Sequence, residues 1–375
     1  MPLALKTLLY EWRRFAPAMV AVAFSGLLVL LQAAIILGIF SLSSQYVTRS
    51  DADLWIGYPG VQSLDLGRPI SGKAEVFAWS NPHVRRVEPF LWGSGEWRTR
   101  SKGMVNVYIV GIQPAAEAMA LAQALTPSER AALAQPDAVL VDAADLDKLQ
   151  VTVGGSAEIN GQLVRVVGLT HGLRALGGVN VIASLPTTRR LDPGSGPGGR
   201  VAYLLARLDN PANTADVAAA LNRLGAGRGF EAVSGADFAR RTTLYWLVES
   251  GAGVAFLFGS VVALLVAVVI TSQTLSAAVA GSLKEYAALR ALGFSMRALR
   301  RIVVAQSAWV GVAGLVAGGL LTGLLVLAAA AEAVPVVLTL PMLAGAAFLV
   351  IFTSIGSGLL ALRRVGQADP ATLLL

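Results

Sequence analysis

The sequence predicts a membrane protein: four transmembrane α-helices, with a large α+β domain outside the cytoplasm inserted between the first and the second. Three observations carry that reading. Four stretches lack Asp, Glu, Lys and Arg over lengths sufficient to cross a bilayer. A long segment of ordinary soluble composition separates the first stretch from the other three. The basic residues of the short segments fall on one side of the inferred membrane. Composition agrees, since only 14% of residues are charged and mean hydropathy is +0.64, whereas soluble globular chains carry roughly 25% charged residues.

The charge-free stretches lie between Arg14 and Arg49, Glu249 and Lys284, Arg301 and Glu332, and Glu332 and Arg363. Each exceeds the roughly 20 residues that cross about 30 Å of hydrocarbon. Helices are therefore expected near 17–42, 250–275, 303–329 and 338–361. Pro335 and Pro341 should delay or kink the fourth, because proline lacks the amide that a helix interior needs. Lys6, Arg13 and Arg14 precede the first stretch as they would a cleavable signal. Such a signal has an apolar core of only about 7–15 residues, and Ala16–Phe40 is longer. The segment is expected to remain as an anchor.

The chain thus divides into 1–42 (cytoplasmic segment and first helix), 43–249 (the inserted domain) and 250–375 (three helices, a loop at 276–302 and a short tail). In the inserted domain, strands are expected at Val105–Ile112, Ala138–Val141, Ser156–Ile159, Leu163–Leu169, Asn180–Ser184 and Val201–Leu208. Asn160-Gly161 marks a hairpin, because both central residues of that tight turn need positive φ. Helical patterns occupy Pro114–Ala134 and Ala215–Leu224, and Asp192–Arg200 reads as a flexible surface loop.

Lys and Arg in short loops resist translocation. The N-terminal tail, the 276–302 loop and the C-terminal tail hold ten of them, including Arg297, Arg300, Arg301, Arg363 and Arg364. The connection between the third and fourth helices has none. Residues 43–249 balance 20 Lys+Arg against 19 Asp+Glu. Both termini and the 276–302 loop are therefore expected in the cytoplasm of a multi-pass inner-membrane protein. The net charge of +7 follows from this topology, which argues against nucleic acid as a partner.

The loop carries the most informative motif, Lys284-Glu285-Tyr286-Ala287-Ala288-Leu289-Arg290-Ala291-Leu292-Gly293-Phe294-Ser295. Its first nine residues are mostly good helix formers. Gly293 is placed to end the helix in the left-handed conformation, and Ser295 to cap the next. Two readings stay open: a connector whose charges only set orientation, or a rigid lever whose Tyr286, Leu289 and Leu292 contact a cytoplasmic partner. Gly314, Gly318, Gly319 and Gly323 form two small-xxx-small pairs that let helix backbones approach, either within one protomer or at a dimer seam. Gln32, Gln273 and Gln306 are polar groups in or near the membrane, and Gln32, the deepest, should bond to a neighbouring helix.

The loop motif resembles the coupling-loop signature of FtsX-like permeases, the membrane subunits of MacB- and LolC-type ABC systems. One helix, a large external domain and three helices is also that family's layout. Ile159–Gly168 resembles its closing hairpin, and Arg363-Arg364-Val365 with Asp369-Pro370-Ala371 its usual ending. The opening, from Leu3 to Ala52-Asp53-Leu54-Trp55, is most similar to the DevC branch. The resemblance implies a homodimer bound to a separate cytoplasmic ABC ATPase, which would hold ATP and Mg. Residues Lys284, Glu285, Tyr286, Leu289, Arg290, Leu292, Gly293 and Ser295 would receive its motion. It also implies export of a lipid, glycolipid or other cargo, with a membrane-fusion adaptor as a possible partner. An alternative within the family is a signalling scaffold that regulates a cell-wall hydrolase.

The chain carries no G-x-x-x-x-G-K-[ST] phosphate loop, no G-x-S-x-G elbow and no H-E-x-x-H, so catalysis is expected in a partner. There is no cysteine. His83 and His171 lack ligand spacing, and Asp142, Asp145 and Asp147 are expected to form a solvated helix start. An unpaired secondary transporter is disfavoured, because intramembrane charges that mark ion pathways are missing from the expected spans.

Overall fold

The computed structural model describes residues 10–282, 285–286, 288–289, 292–331, 334 and 336–366. Lys284, Arg290, Pro335 and Asp369 lie outside the described residues, as does the whole ending after Gly366. The chain forms two compact units, Ile39–Val254 and the helical remainder.

The elements, in chain order, are as follows. Helix α1 (Trp12–Thr48) precedes β1 (Leu54–Gly57), α2 (Ala74–Trp79), β2 (Val84–Arg98) and β3 (Met104–Ile112). Then come α3 (Pro127–Leu133), β4 (Ala138–Asp142), β5 (Ser156–Ile159), β6 (Gln162–Thr170), β7 (Val179–Ser184) and α4 (Leu185–Leu191). The inserted unit ends with β8 (Tyr203–Leu208), α5 (Thr214–Gly225), β9 (Glu231–Ser234) and α6 (Gly235–Leu244), and α7 (Gly251–Gly281), α8 (Met296–Ala331) and α9 (Leu340–Gly366) follow.

The inserted unit is built on β2, which serves two sheets. Its first half pairs with β8, and with β1 and β9 beyond forms a four-stranded antiparallel sheet. Its second half pairs with β3 through Leu91–Arg98 and with β5 at Trp97 and Arg98. The order β3-β7-β4-β6-β5-β2, together with the β3–β2 pairing, closes a six-stranded barrel. Trp97, Ile109, Val141, Val166 and Val181 fill its interior. Closure leaves this part of the sheet no free edge for another chain to join.

In the open sheet, side chains alternate faces. Leu54 and Ile56 pack with Ala78, Val217 and Leu221 of α2 and α5, whereas Trp55 joins Phe90, Tyr203 and Phe238 on the other side. The expected Asn160-Gly161 hairpin joins β5 to β6, with φ of 50° and 78°.

Several expectations need correction. Pro114–Ala134 is not one helix, because only Pro127–Leu133 is α-helical. The amides of Met119 and Ala120 bond instead to the fully buried carboxylate of Glu88, at 2.8 and 2.6 Å. Asp192–Arg200 is held at its first half: Asp192 accepts from the Ser94 amide at 3.0 Å, and Ser195 is buried. Asp142 is no solvated helix start. It is buried and accepts from the Ala144 and Leu173 amides and the Thr170 hydroxyl.

In the helical unit, four helices are long and apolar enough to cross a membrane. They begin and end beyond most of the expected limits, because flanking polar residues such as Arg13, Arg14 and Arg297–Arg301 continue the helical ladder. The fourth begins at Leu340, with Pro341 in its first turn, where a missing amide costs nothing. Phe15, Ala18 and Val22 of α1 pack with Leu275 and Ala278 of α7, Val310 of α8 and Val350 of α9. The Ser25 hydroxyl donates to the Ala267 carbonyl at 3.1 Å and accepts from Thr271. Gln32 lies beside Gly259 of α7.

Gly314 and Gly318 set the approach of α8 to α1. A Cβ at Gly314 would stand 2.7 Å from Val22 Cβ, and one at Gly318 would stand 2.6 Å from the Ala23 carbonyl. The other pair, Gly319 and Gly323, faces nothing within 4 Å. The two small-xxx-small pairs therefore lie on different faces of α8.

Candidate functional site

The segment between α7 and α8 is held from two directions. Tyr286 is 3% exposed and sits among Val279, Leu299, Val303 and Leu362. Its hydroxyl donates to Gln306 Oε1 of α8 at 2.8 Å, and burial pushes its pKa up to about 12. The neighbouring Glu285 turns outward and accepts from Arg14 of α1 at 2.8 Å, and Arg14 donates to Glu11 at the same distance. A buried hydrogen bond and an exposed ion pair thus tie adjacent residues to two different helices.

Beyond Tyr286 the chain turns as its residue types demand. The Leu292 amide bonds to the Ala288 carbonyl, Gly293 adopts φ of 92°, and the Phe294 amide returns to the Leu289 carbonyl. Ser295 then caps α8, its hydroxyl accepting from the Ala298 amide at 3.3 Å. The result is a knuckle between two helices.

The side chains divide unevenly around it. Leu292 is 77% exposed and Phe294 is 44% exposed. Leu289 is half-buried against the Tyr286 cluster. Tyr286 is turned inward, so it is not one of the surface contacts expected of it. Its hydroxyl finds a buried acceptor in Gln306, which a reading of one helical turn could not anticipate. Phe294, absent from the expected contact set, is exposed next to Leu292 in the chain. The exposed Arg297, Arg300 and Arg301 follow on α8.

Among the described residues no group of three His, Cys, Asp or Glu side chains could hold a metal ion. His83 is engaged with Asp209 at 3.2 Å and Asn213 at 3.3 Å.

A model of the MacB-like periplasmic core domain matches residues 15–224, and one of the FtsX-like permease C-terminal region matches residues 257–370. The chain belongs to the FtsX-like permeases that carry a MacB-like periplasmic core domain. It is thus a permease subunit of the ABC type, with four apolar helices and an extracytoplasmic domain, from a family that works with cytoplasmic ABC ATPases.

Solved relatives are distant. The periplasmic region of MacB from Actinobacillus actinomycetemcomitans is 14% identical, with a TM-score of 0.37 over 52% of this chain and 94% of that one. The extracellular domain of the noncanonic ABC-type transporter YknZ, from Gram-positive bacteria, is 11% identical, with a TM-score of 0.35 over 48% and 99%. No curated protein matches the sequence.

Proposed function

We propose that this permease receives the motion of its ATPase at the knuckle between α7 and α8 and uses it to export a lipid, glycolipid or other cargo. The observation that supports this is the pairing of exposed Leu292 and Phe294 with anchored Glu285 and Tyr286. An apolar contact that is to transmit force has to be rigidly tied to what it moves. Here the contact residues are exposed, while the residues just before them are bonded to α1 and α8. ATP and Mg would be held by the separate ATPase, with two copies of each subunit in the working assembly. Lys284 and Arg290 would add charge to the same contact. Both termini and the knuckle would be cytoplasmic, as the distribution of Lys and Arg argues. The opening of the chain favours the DevC branch, and with it a membrane-fusion adaptor outside the cytoplasm.

The test is co-purification of the chain with its cognate ATPase, together with coupled transport, for Leu292→Asp and Phe294→Asp. Both should lose the complex or uncouple it. An intact complex with unchanged transport in the two variants would remove the lever from consideration.

A further inference from the structure

The inserted unit contains a small recess, about 20 Å³ and so large enough for one water-sized group, whose walls are aromatic. Tyr46, Trp92, Tyr108 and Trp246 line it with Ser43 and the carboxylate of Asp65. Trp92 meets Tyr46 edge to face at 5.0 Å between ring centroids and stacks on Tyr108 at 5.3 Å. The three rings therefore brace one another. Trp246 is fixed by its indole N–H, which donates to Ser63 Oγ at 3.1 Å and Asp65 Oδ1 at 3.2 Å.

Asp65 is the unusual member. Its Oδ1 accepts from Trp246 and from the Ser63 hydroxyl. Among the described residues it has no Lys, Arg or His partner, and its second oxygen accepts no hydrogen bond. It is half-buried beside the aromatic walls. Burial and the charge of Asp65 both push the Tyr108 hydroxyl upward in pKa, which places that charge at the aromatic wall.

The chemistry selects one kind of occupant. Aromatic faces and a lone carboxylate both attract cations and repel anions. A hard metal ion needs six or more oxygens, or several waters, and this recess offers one carboxylate. We propose that the recess binds the ammonium group of a small organic amine, either free in solution or as the head of an aminophospholipid. Trp92 and Tyr108 come from β2 and β3, whereas Tyr46 lies near the end of α1 and Trp246 shortly before α7 begins. Trp and Tyr concentrate at headgroup level in such positions. The inference rests on side chains of the inserted unit alone and survives or fails independently of the knuckle.

The test uses the full chain. In detergent, ethanolamine chloride and methylammonium chloride are titrated calorimetrically against sodium chloride of equal ionic strength. In nanodiscs of phosphatidylglycerol, with or without phosphatidylethanolamine, lipid retained by the protein is counted by native mass spectrometry. Saturable binding of a free amine supports a soluble source, and selective retention of phosphatidylethanolamine supports a lipid source. Asp65→Asn, which preserves shape, should weaken either signal at least tenfold. Tyr108→Leu should weaken it severalfold, and Asp237→Asn, on the exposed surface, should leave it unchanged. Tyr108→Leu decides the matter if Asp65→Asn does not fold. Absence of a saturable signal in both formats, or unchanged binding in the variants, overturns the proposal.

Discussion

The Tyr286 hydroxyl donates to Gln306 Oε1 at 2.8 Å, with both side chains withdrawn from solvent. Tyr286→Phe would leave a buried acceptor unpaired, at a cost of about 1–3 kcal/mol. Thermal unfolding in detergent should show a midpoint several degrees lower. A surface tyrosine would show no such drop, so an unchanged midpoint would contradict the inward placement. The pH dependence has a definite sign. Burial raises the folded pKa to about 12, above the ordinary value of roughly 10. The stabilisation is thus fully present below about pH 10 and lost as pH climbs toward 12. Titrated between pH 9 and 12, the wild type should lose stability faster than Tyr286→Phe.

Arg14 and Glu285 form an exposed pair, so their contribution to stability should be small, about 0.2–1 kcal/mol. Their contribution to coupling should be larger if the knuckle moves α1 through them. Glu285→Arg alone should reduce ATPase-coupled transport while shifting the melting midpoint little. Combining it with Arg14→Glu should recover most of the transport, a double-mutant cycle that isolates the pair. Failure of the reversed pair to recover function would leave the ion pair with no part in transmission.

Hydropathy made the four helices and the domain between them legible, because lipid excludes charge over a length that sequence alone reveals. Six of the nine strands were legible for a similar reason, as runs of β-branched and apolar residues. The missed strand β2, which joins the two sheets, contains Pro89, Gly93 and Gly95 and reads locally as a loop. Pro89 lies in the half that pairs on one side only, where a missing amide is tolerated. A Cβ at Gly93 or Gly95 would stand 2.8 Å from Asp192 or Asn160, so contacts distant in sequence require those glycines. The knuckle was legible as a helix, a glycine break and a cap. Which of its apolar side chains face inward depends on Gln306 and Leu362, and no local pattern encodes them.

The two glycine pairs of α8 should respond differently to enlargement. Gly318→Leu must push α1 away from the Ala23 carbonyl, and overpacking of this kind costs about 1–3 kcal/mol or more. Gly319→Leu and Gly323→Leu meet open space and should leave the melting midpoint of the detergent-solubilised chain unchanged. If the second pair forms the seam of the proposed homodimer, these variants should nonetheless shift the species from dimer to monomer. Light scattering of the purified variants separates the cases. A dimer that persists in Gly319→Leu and Gly323→Leu would place the seam elsewhere.

Glu88 organises a segment that propensity would have made helical. Its two carboxylate oxygens accept from the Met119 and Ala120 amides, and Arg130 donates to the Ala120 carbonyl at 2.6 Å. Residues 118–121 thereby turn back into the core with Leu121 at positive φ. Glu88→Ala leaves two amides buried without acceptors and should cost on the order of 3 kcal/mol. Glu88→Gln retains one acceptor but points its own N–H group at the second amide, so it should fall between alanine and wild type. Urea unfolding followed by tryptophan fluorescence reads this directly, since Trp55, Trp92 and Trp97 report on the inserted unit. Were Glu88→Ala to unfold at the wild-type urea concentration, the carboxylate would not be what shapes the segment, and residues 114–134 would be free to form the helix that their composition favours.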